Sequence, residues 1–118
     1  MKLQVRYANH PEDSKHYTTK ELRKHYLMER VFEADEILLV YSHQDRIVSG
    51  GIMPVNKALP LETSDELRAK YFLERRELGI INIGGAGKIT LDGKVYDVKP
   101  RDGMYVGMGT VEVVFESL

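Results

Sequence analysis

The chain has 118 residues, 42% of them hydrophobic and 30% charged, with 17 basic residues set against 18 acidic ones for a formal net charge of −1. A chain of this size is one domain's worth of sequence and buries roughly 65% of its unfolded surface. The near balance of charge removes the long-range field that draws proteins to nucleic acid or to an acidic membrane, and the absence of cysteine excludes disulfides, thiolate metal sites and cysteine nucleophiles.

The opening, MKLQVRYANHPED, reads as a polar arm or loop to about Ser14, too poor in apolar residues for a signal peptide. No later stretch reaches membrane-spanning length, so a reducing cytoplasm is the expected compartment. In TTKELRKHYLMER, Thr18 and Glu21 have capping-box spacing, and Leu22 and Tyr26 share a face. These predict a short helix from Thr18 to about Glu29. Its Lys20, Arg23 and Lys24 read as an ordinary solvated face. Residues 1–30 are thus an arm with a helix, and 31–118 a β-domain.

From Val31 onward the pattern is that of strands. EILLVYS is rich in strand formers, DRIVSGGIMPV is interrupted at Gly50 and Gly51, and ALPLETSDELRAKY holds one helical turn around Ser64 to Ala69. Beyond Tyr71 everything is strand and turn, and short strands at regular spacing predict a mostly β fold, a sandwich or small barrel. Gly84, Gly85 and Gly87 superficially suggest a nucleotide loop. A phosphate cradle needs a helix after its glycines, whereas these glycines lead into KITLDGKVYDV, a period-two run. Asp92-Gly93 fits a two-residue hairpin turn that sets Ile89 opposite Tyr96 and Lys88 opposite Asp97.

Four consecutive charges, Glu74-Arg75-Arg76-Glu77, precede that region. On a strand, Glu74 and Arg76 share one face and Arg75 and Glu77 the other. The stretch is either a solvated edge of weak ion pairs or a strand that aims an arginine and a carboxylate inward, where they could bind an anion and move a proton. The register needed to decide is not in the sequence.

The histidines are His10, His16, His25 and His43, with no His-x-His pair and no helical pair three or four apart. They form no local nucleus for a metal. His43, near Asp45 in YSHQDR, is the strongest candidate of the four, set against the ordinary reading of a turn or surface histidine. The aromatic residues are not interleaved with basic ones, which argues against a nucleic-acid platform, and Ser14, Ser42 and Ser49 lack the context of a nucleophile.

Two stretches, VFEADEILLVYSHQDRIVSGGIMPV and YFLERRELGIINIGGAGKITLDGKVYDVKPRDGMYVGMGTVEVVF, resemble the N-terminal half of the 5-keto-4-deoxyuronate isomerase family, from about Glu29 to the last residue and weakly before. The resemblance implies a cupin-like, jelly-roll type β-barrel or sandwich with a short N-terminal helix, and assembly into a homohexamer. It implies a ketol-isomerase of pectin breakdown that interconverts 5-keto-4-deoxyuronate and 3-deoxy-D-glycero-2,5-hexodiulosonate. The family's zinc, held by three histidines and a glutamate, is implied for the C-terminal half, so no metal ligand is expected here and no catalytic residue is assigned. Candidate binders of a sugar acid are Arg46, Arg75, Arg76, Glu77 and Arg101. The alternative is a non-catalytic cupin-like module that binds a sugar acid or serves assembly.

Overall fold

The computed structural model describes all residues from Met1 to Leu118. Nine strands form three sheets: β1 (Lys2–Arg6), β2 (Ile37–Ser42) and β3 (Ile47–Ile52) in one; β4 (Leu59–Pro60), β9 (Val113–Ser117), β6 (Gly87–Leu91) and β7 (Lys94–Val98), in that spatial order, in a second; β5 (Leu78–Ile81) and β8 (Gly103–Val106) in a third. Two helices, α1 (Pro11–Ser14) and α2 (Thr19–Tyr26), lie in the connection between β1 and β2. The protein is therefore mostly β, as its composition of short alternating runs predicts. No sheet closes on itself, so of the two expected forms the sandwich is the one observed.

Alternation decides which side chains turn inward. Ile37 and Leu39 of β2, Leu59 of β4, Ile89 of β6, Val98 of β7, Val106 of β8 and Val113 and Phe115 of β9 all enter one apolar cluster. Leu61, Leu67, Phe72 and Leu73 fill it from the connections. Leu73 and Val106 are only 1% exposed. The core is nonetheless thin, with 14 of 118 residues buried and a radius of gyration of 15.7 Å. A compact chain of this length has one of about 13–14 Å.

The hairpin forms in the expected register, with Ile89 facing Tyr96 and Lys88 facing Asp97. Asp92 and Gly93 both take positive φ, 45° and 84°, as a two-residue turn of that kind demands. The Asp92 carboxylate also accepts from Val111 N and Glu112 N, which ties the turn to the start of β9.

Four local expectations are corrected. The opening is not all arm: Lys2–Arg6 is a strand parallel to β2, with Leu3 opposite Leu39 and Val5 opposite Tyr41. Leu3, Val5 and Tyr7 alternate, a signal masked by the polar Gln4 and Arg6 between them. Helix α2 starts at its capping box as expected but ends at Tyr26, because Leu27 is extended (φ −105°, ψ 130°) and the Arg23 guanidinium turns to Glu29. Strand β3 runs straight through Gly50 and Gly51, where a Cβ would lie 2.0 Å from Leu38 O and 2.1 Å from Val31 O respectively, so the glycines admit neighbouring backbone and do not break the strand. Residues 74–77 are not a strand, and β5 begins only at Leu78.

Asp35, at φ 60°, holds the start of β2 against the exit from β3. Its carboxylate accepts from Val55 N, Asn56 N and Asn56 Nδ2, each at 2.8 Å, and from Lys57 N at 3.3 Å. Those donors, the amides of Asn56 and Val55 first, hold its pKa at about 2, against an ordinary 3.8.

Substitution tests these contacts directly. Gly51→Ala is expected to lower urea stability by roughly 1–3 kcal/mol through steric overlap. Gly79→Ala, whose Cβ would meet nothing within 4 Å, is expected to raise stability by roughly 0.5–1 kcal/mol. Because the folded pKa of Asp35 is depressed, its contribution is complete above 3.8 and disappears as pH falls through about 2. Asp35→Asn should therefore unfold at lower urea at neutral pH and show a shallower further loss on acidification across that window.

Candidate functional site

Phe72 and Leu73 are adjacent and both buried, at 6% and 1% exposure, which a strand cannot do with one inward face. The chain therefore turns through residues 71–76, and the charged residues after it are distributed by that turn. Glu74 accepts from Lys70 N at 2.5 Å. Arg75 donates to the carbonyls of Leu67 and Arg68, bracing the short 3-10 helix Asp65–Leu67. Glu77 accepts the phenol of Tyr105 at 2.6 Å across the β5–β8 pair. Arg76 alone among the four forms no hydrogen bond or ion pair.

Arg76 instead lies against aromatic faces, its Cζ 5.6 Å from the Tyr41 ring centroid and 5.8 Å from that of Phe72. Tyr41 continues the inner face of β2 after Ile37 and Leu39 and packs against the core. Two residues on, His43 stacks on Tyr41 (4.5 Å, 21° between planes), and Tyr7, beyond the end of β1, stacks on the imidazole (5.1 Å, 11°). Parallel pairing of β1 with β2 is what brings Tyr7 there, and His43 N donates to Arg6 O at 2.8 Å to extend the alignment. The result is a column, Phe72–Arg76–Tyr41–His43–Tyr7, running from the buried core to a tyrosine that is 74% exposed.

The other candidates are dispersed. Arg46, at φ 54°, lies in the β2–β3 turn with His43, and Arg101, at φ 70°, lies in the β7–β8 turn, where its amide donates to Asn82 O. His10 caps α1 by accepting from Glu12 N, and His25 stacks on Tyr17 at 5.0 Å. No group of three or more His, Asp or Glu side chains converges closely enough to hold a metal ion.

A groove of about 800 Å³ between α2 and the outer face of β1 and β2 is not where these groups meet. Glu33 answers Lys2 and Arg30 and Glu29 answers Arg23, while Arg6, Lys20 and Lys24 of the lining form no ion pair, so the groove is basic. Such exposed pairs contribute little to stability.

No family model matches the chain. It is, however, 54% identical over 116 residues to a 4-deoxy-L-threo-5-hexosulose-uronate ketol-isomerase of Lachnoclostridium phytofermentans, 51% over 115 residues to one of Lachnospira eligens, and 52% over 118 residues to one of Escherichia coli O157:H7. Each match takes in 98% of this chain. This chain is homologous to the N-terminal part of these ketol-isomerases. It spans only 41–42% of their length. The likeness also extends through the N-terminal strand and helix, beyond the Glu29 limit that the motifs suggested, consistent with β1 being built into the sheet.

Sequence reasoning named Arg76 and His43 separately and did not join them, and it missed Tyr41 and Tyr7. Their joining depends on the turn at 71–76 and on a parallel strand pair, neither of which has a local signature.

The Glu77–Tyr105 bond raises the Tyr105 pKa above 10.0, because the phenol's proton is held by the carboxylate and a phenolate would lie beside a negative charge. The bond's contribution is complete below 10.0 and disappears as pH rises through the folded value. In Glu77→Gln the Tyr105 ring, followed by NMR, is expected to titrate closer to 10.0; an unchanged titration would mean the bond does not form in solution.

Proposed function

We propose that this chain acts as the N-terminal part of a cytoplasmic ketol-isomerase of pectin and uronate breakdown, with 4-deoxy-L-threo-5-hexosulose-uronate as substrate. The observation that carries this reading is the 54% identity over 116 residues to a protein of that name. In such a reaction a proton moves between neighbouring carbons, and the developing oxyanion has to be stabilised. Zinc, bound by residues outside this chain, would supply that stabilisation. This chain's own residues bind and orient: Arg76 is an anion receptor beside aromatic rings, and Arg75 and Glu77 hold the turn and strand that present it.

Exposed apolar side chains support assembly with other subunits, as a cupin-like homohexamer. The outer face of the β5–β8 pair carries Ile81 and Tyr105, 76% and 67% exposed, next to Gly79 and Gly103. Continuous apolar surface of this kind marks contact faces. No helix is long and apolar enough to cross a membrane.

The test is turnover of the deoxyketouronate by the 118-residue chain alone, with and without zinc, and by the chain fused to the remainder of the Lachnoclostridium relative. The chain alone is expected to be inactive in both conditions and the fusion active. Zinc-dependent turnover by the chain alone would overturn the division of labour. An inactive fusion, in an assay where the relative itself turns over, would overturn the reading.

A further inference from the structure

Arg75 and Arg76 are neighbours in sequence with opposite fates. Arg75 spends its N–H groups on two backbone carbonyls. Arg76 is half-buried, has no carbonyl or carboxylate partner, and sets its Cζ over the rings of Tyr41 and Phe72, 5.6 and 5.8 Å from their centroids. A guanidinium carries its N–H donors in a rigid planar fork, and here the chain supplies no acceptor for them. None of its nitrogens is buried without a partner, so water meets these donors in the free chain and an oxyanion would take the place of that water. The acceptor that matches the fork is a planar oxyanion that can take two parallel hydrogen bonds.

The rest of the column suits a sugar. The Tyr41 hydroxyl and the His43 ring nitrogens form no hydrogen bond within the chain, and both residues are partly exposed. Tyr7, stacked on one face only, presents the other to solvent. Hydroxyl groups and a pyranose face are what such edges and faces receive. No acidic side chain of the chain competes: Glu74 is held by Lys70 N and Glu77 by Tyr105.

We propose that Arg76 is the centre of a carboxylate-binding site for a sugar acid, with Tyr41 and His43 contacting the sugar's hydroxyls and Tyr7 its ring. The choice of a uronate rests on the ketol-isomerase reading, while the carboxylate assignment rests on the geometry alone.

The experiment is an NMR titration of the 118-residue chain with D-galacturonate, with galactose and acetate as separate arms. Galacturonate is expected to shift the Arg76 side-chain N–H and the rings of Tyr41 and His43, and to bind roughly tenfold or more tightly than either control. Arg76→Gln should weaken galacturonate binding roughly tenfold or more, and Arg101→Gln should leave it unchanged. Tyr41→Phe, which keeps the stack and removes the hydroxyl, should weaken it less. Shifts centred elsewhere, equal binding of galactose, or wild-type affinity in Arg76→Gln would each overturn the proposal, and acetate binding as tightly as galacturonate would overturn the sugar. If Arg76→Gln fails to fold, the wild-type shift map and Tyr41→Phe decide. Because binding is read without turnover, an active fusion that shows no galacturonate binding sinks this site alone, whereas an inactive fusion in which galacturonate still binds sinks only the isomerase reading.

Discussion

Two adjacent side chains, Phe72 and Leu73, both have to be buried, and much of the molecule's arrangement depends on that. Each of the three sheets is too small to bury an apolar face by itself, and a two-stranded pair such as β5–β8 is marginal in water without something to pack on. The connecting segment that holds Phe72 and Leu73 supplies it, joining the cluster that all three sheets share. Burying consecutive residues is incompatible with an extended strand, so the backbone turns, and Gly109 N donates to Leu73 O at 2.8 Å to hold the turn against the segment after β8. The turn then sets the direction of every charged residue from 74 to 77. A packing requirement thereby becomes a chemical one: Arg76 is laid over the same phenylalanine that forced the turn.

How much of this is legible in the sequence depends on the range over which each feature is encoded. The capping box at Thr18 and Glu21 and the Asp92-Gly93 hairpin are encoded within a few residues, and both form as read. Gly50 and Gly51 are visible as glycines, but their reason is not, because the backbone they admit comes from Leu38 and Val31, far along the chain. β1 is harder still. Its alternation is short and its partner, β2, is separated by two helices, so nothing local distinguishes it from a polar arm. For residues 74–77 the division of the charges into two faces depended on a strand that does not form, and the clue against that strand was the preceding Phe-Leu pair.

The exterior raises a separate physical point. Gly79 and Gly103 have neither positive φ nor a crowded Cβ position, and a glycine inside a strand gives up roughly 0.5–1 kcal/mol relative to alanine. Nothing within the chain returns that cost. Both lie on the outer face of β5–β8 beside exposed Ile81 and Tyr105, across from the inner face that carries Leu78, Ile80, Met104 and Val106. A pair with apolar residues on both faces is what a sheet buried on both sides looks like.

The same reasoning separates the two kinds of arginine in the middle of the chain. An arginine that serves the fold has its donors satisfied by the fold, as Arg75 has at the carbonyls of Leu67 and Arg68. Arg76, set over two rings with no acceptor from the chain, is positioned by the fold while its donors stay open to solvent. Lysine could not take its place, because an ammonium is a compact, strongly hydrated charge with no planar face to stack and no fork to present. Replacing Tyr41 or Phe72 by an aliphatic residue would keep the core apolar and lose the face that orients the guanidinium. Tyr41 and Phe72 thus serve the core and flank the Arg76 guanidinium at once, and its N–H donors, unlike those of Arg75, are left to the solvent.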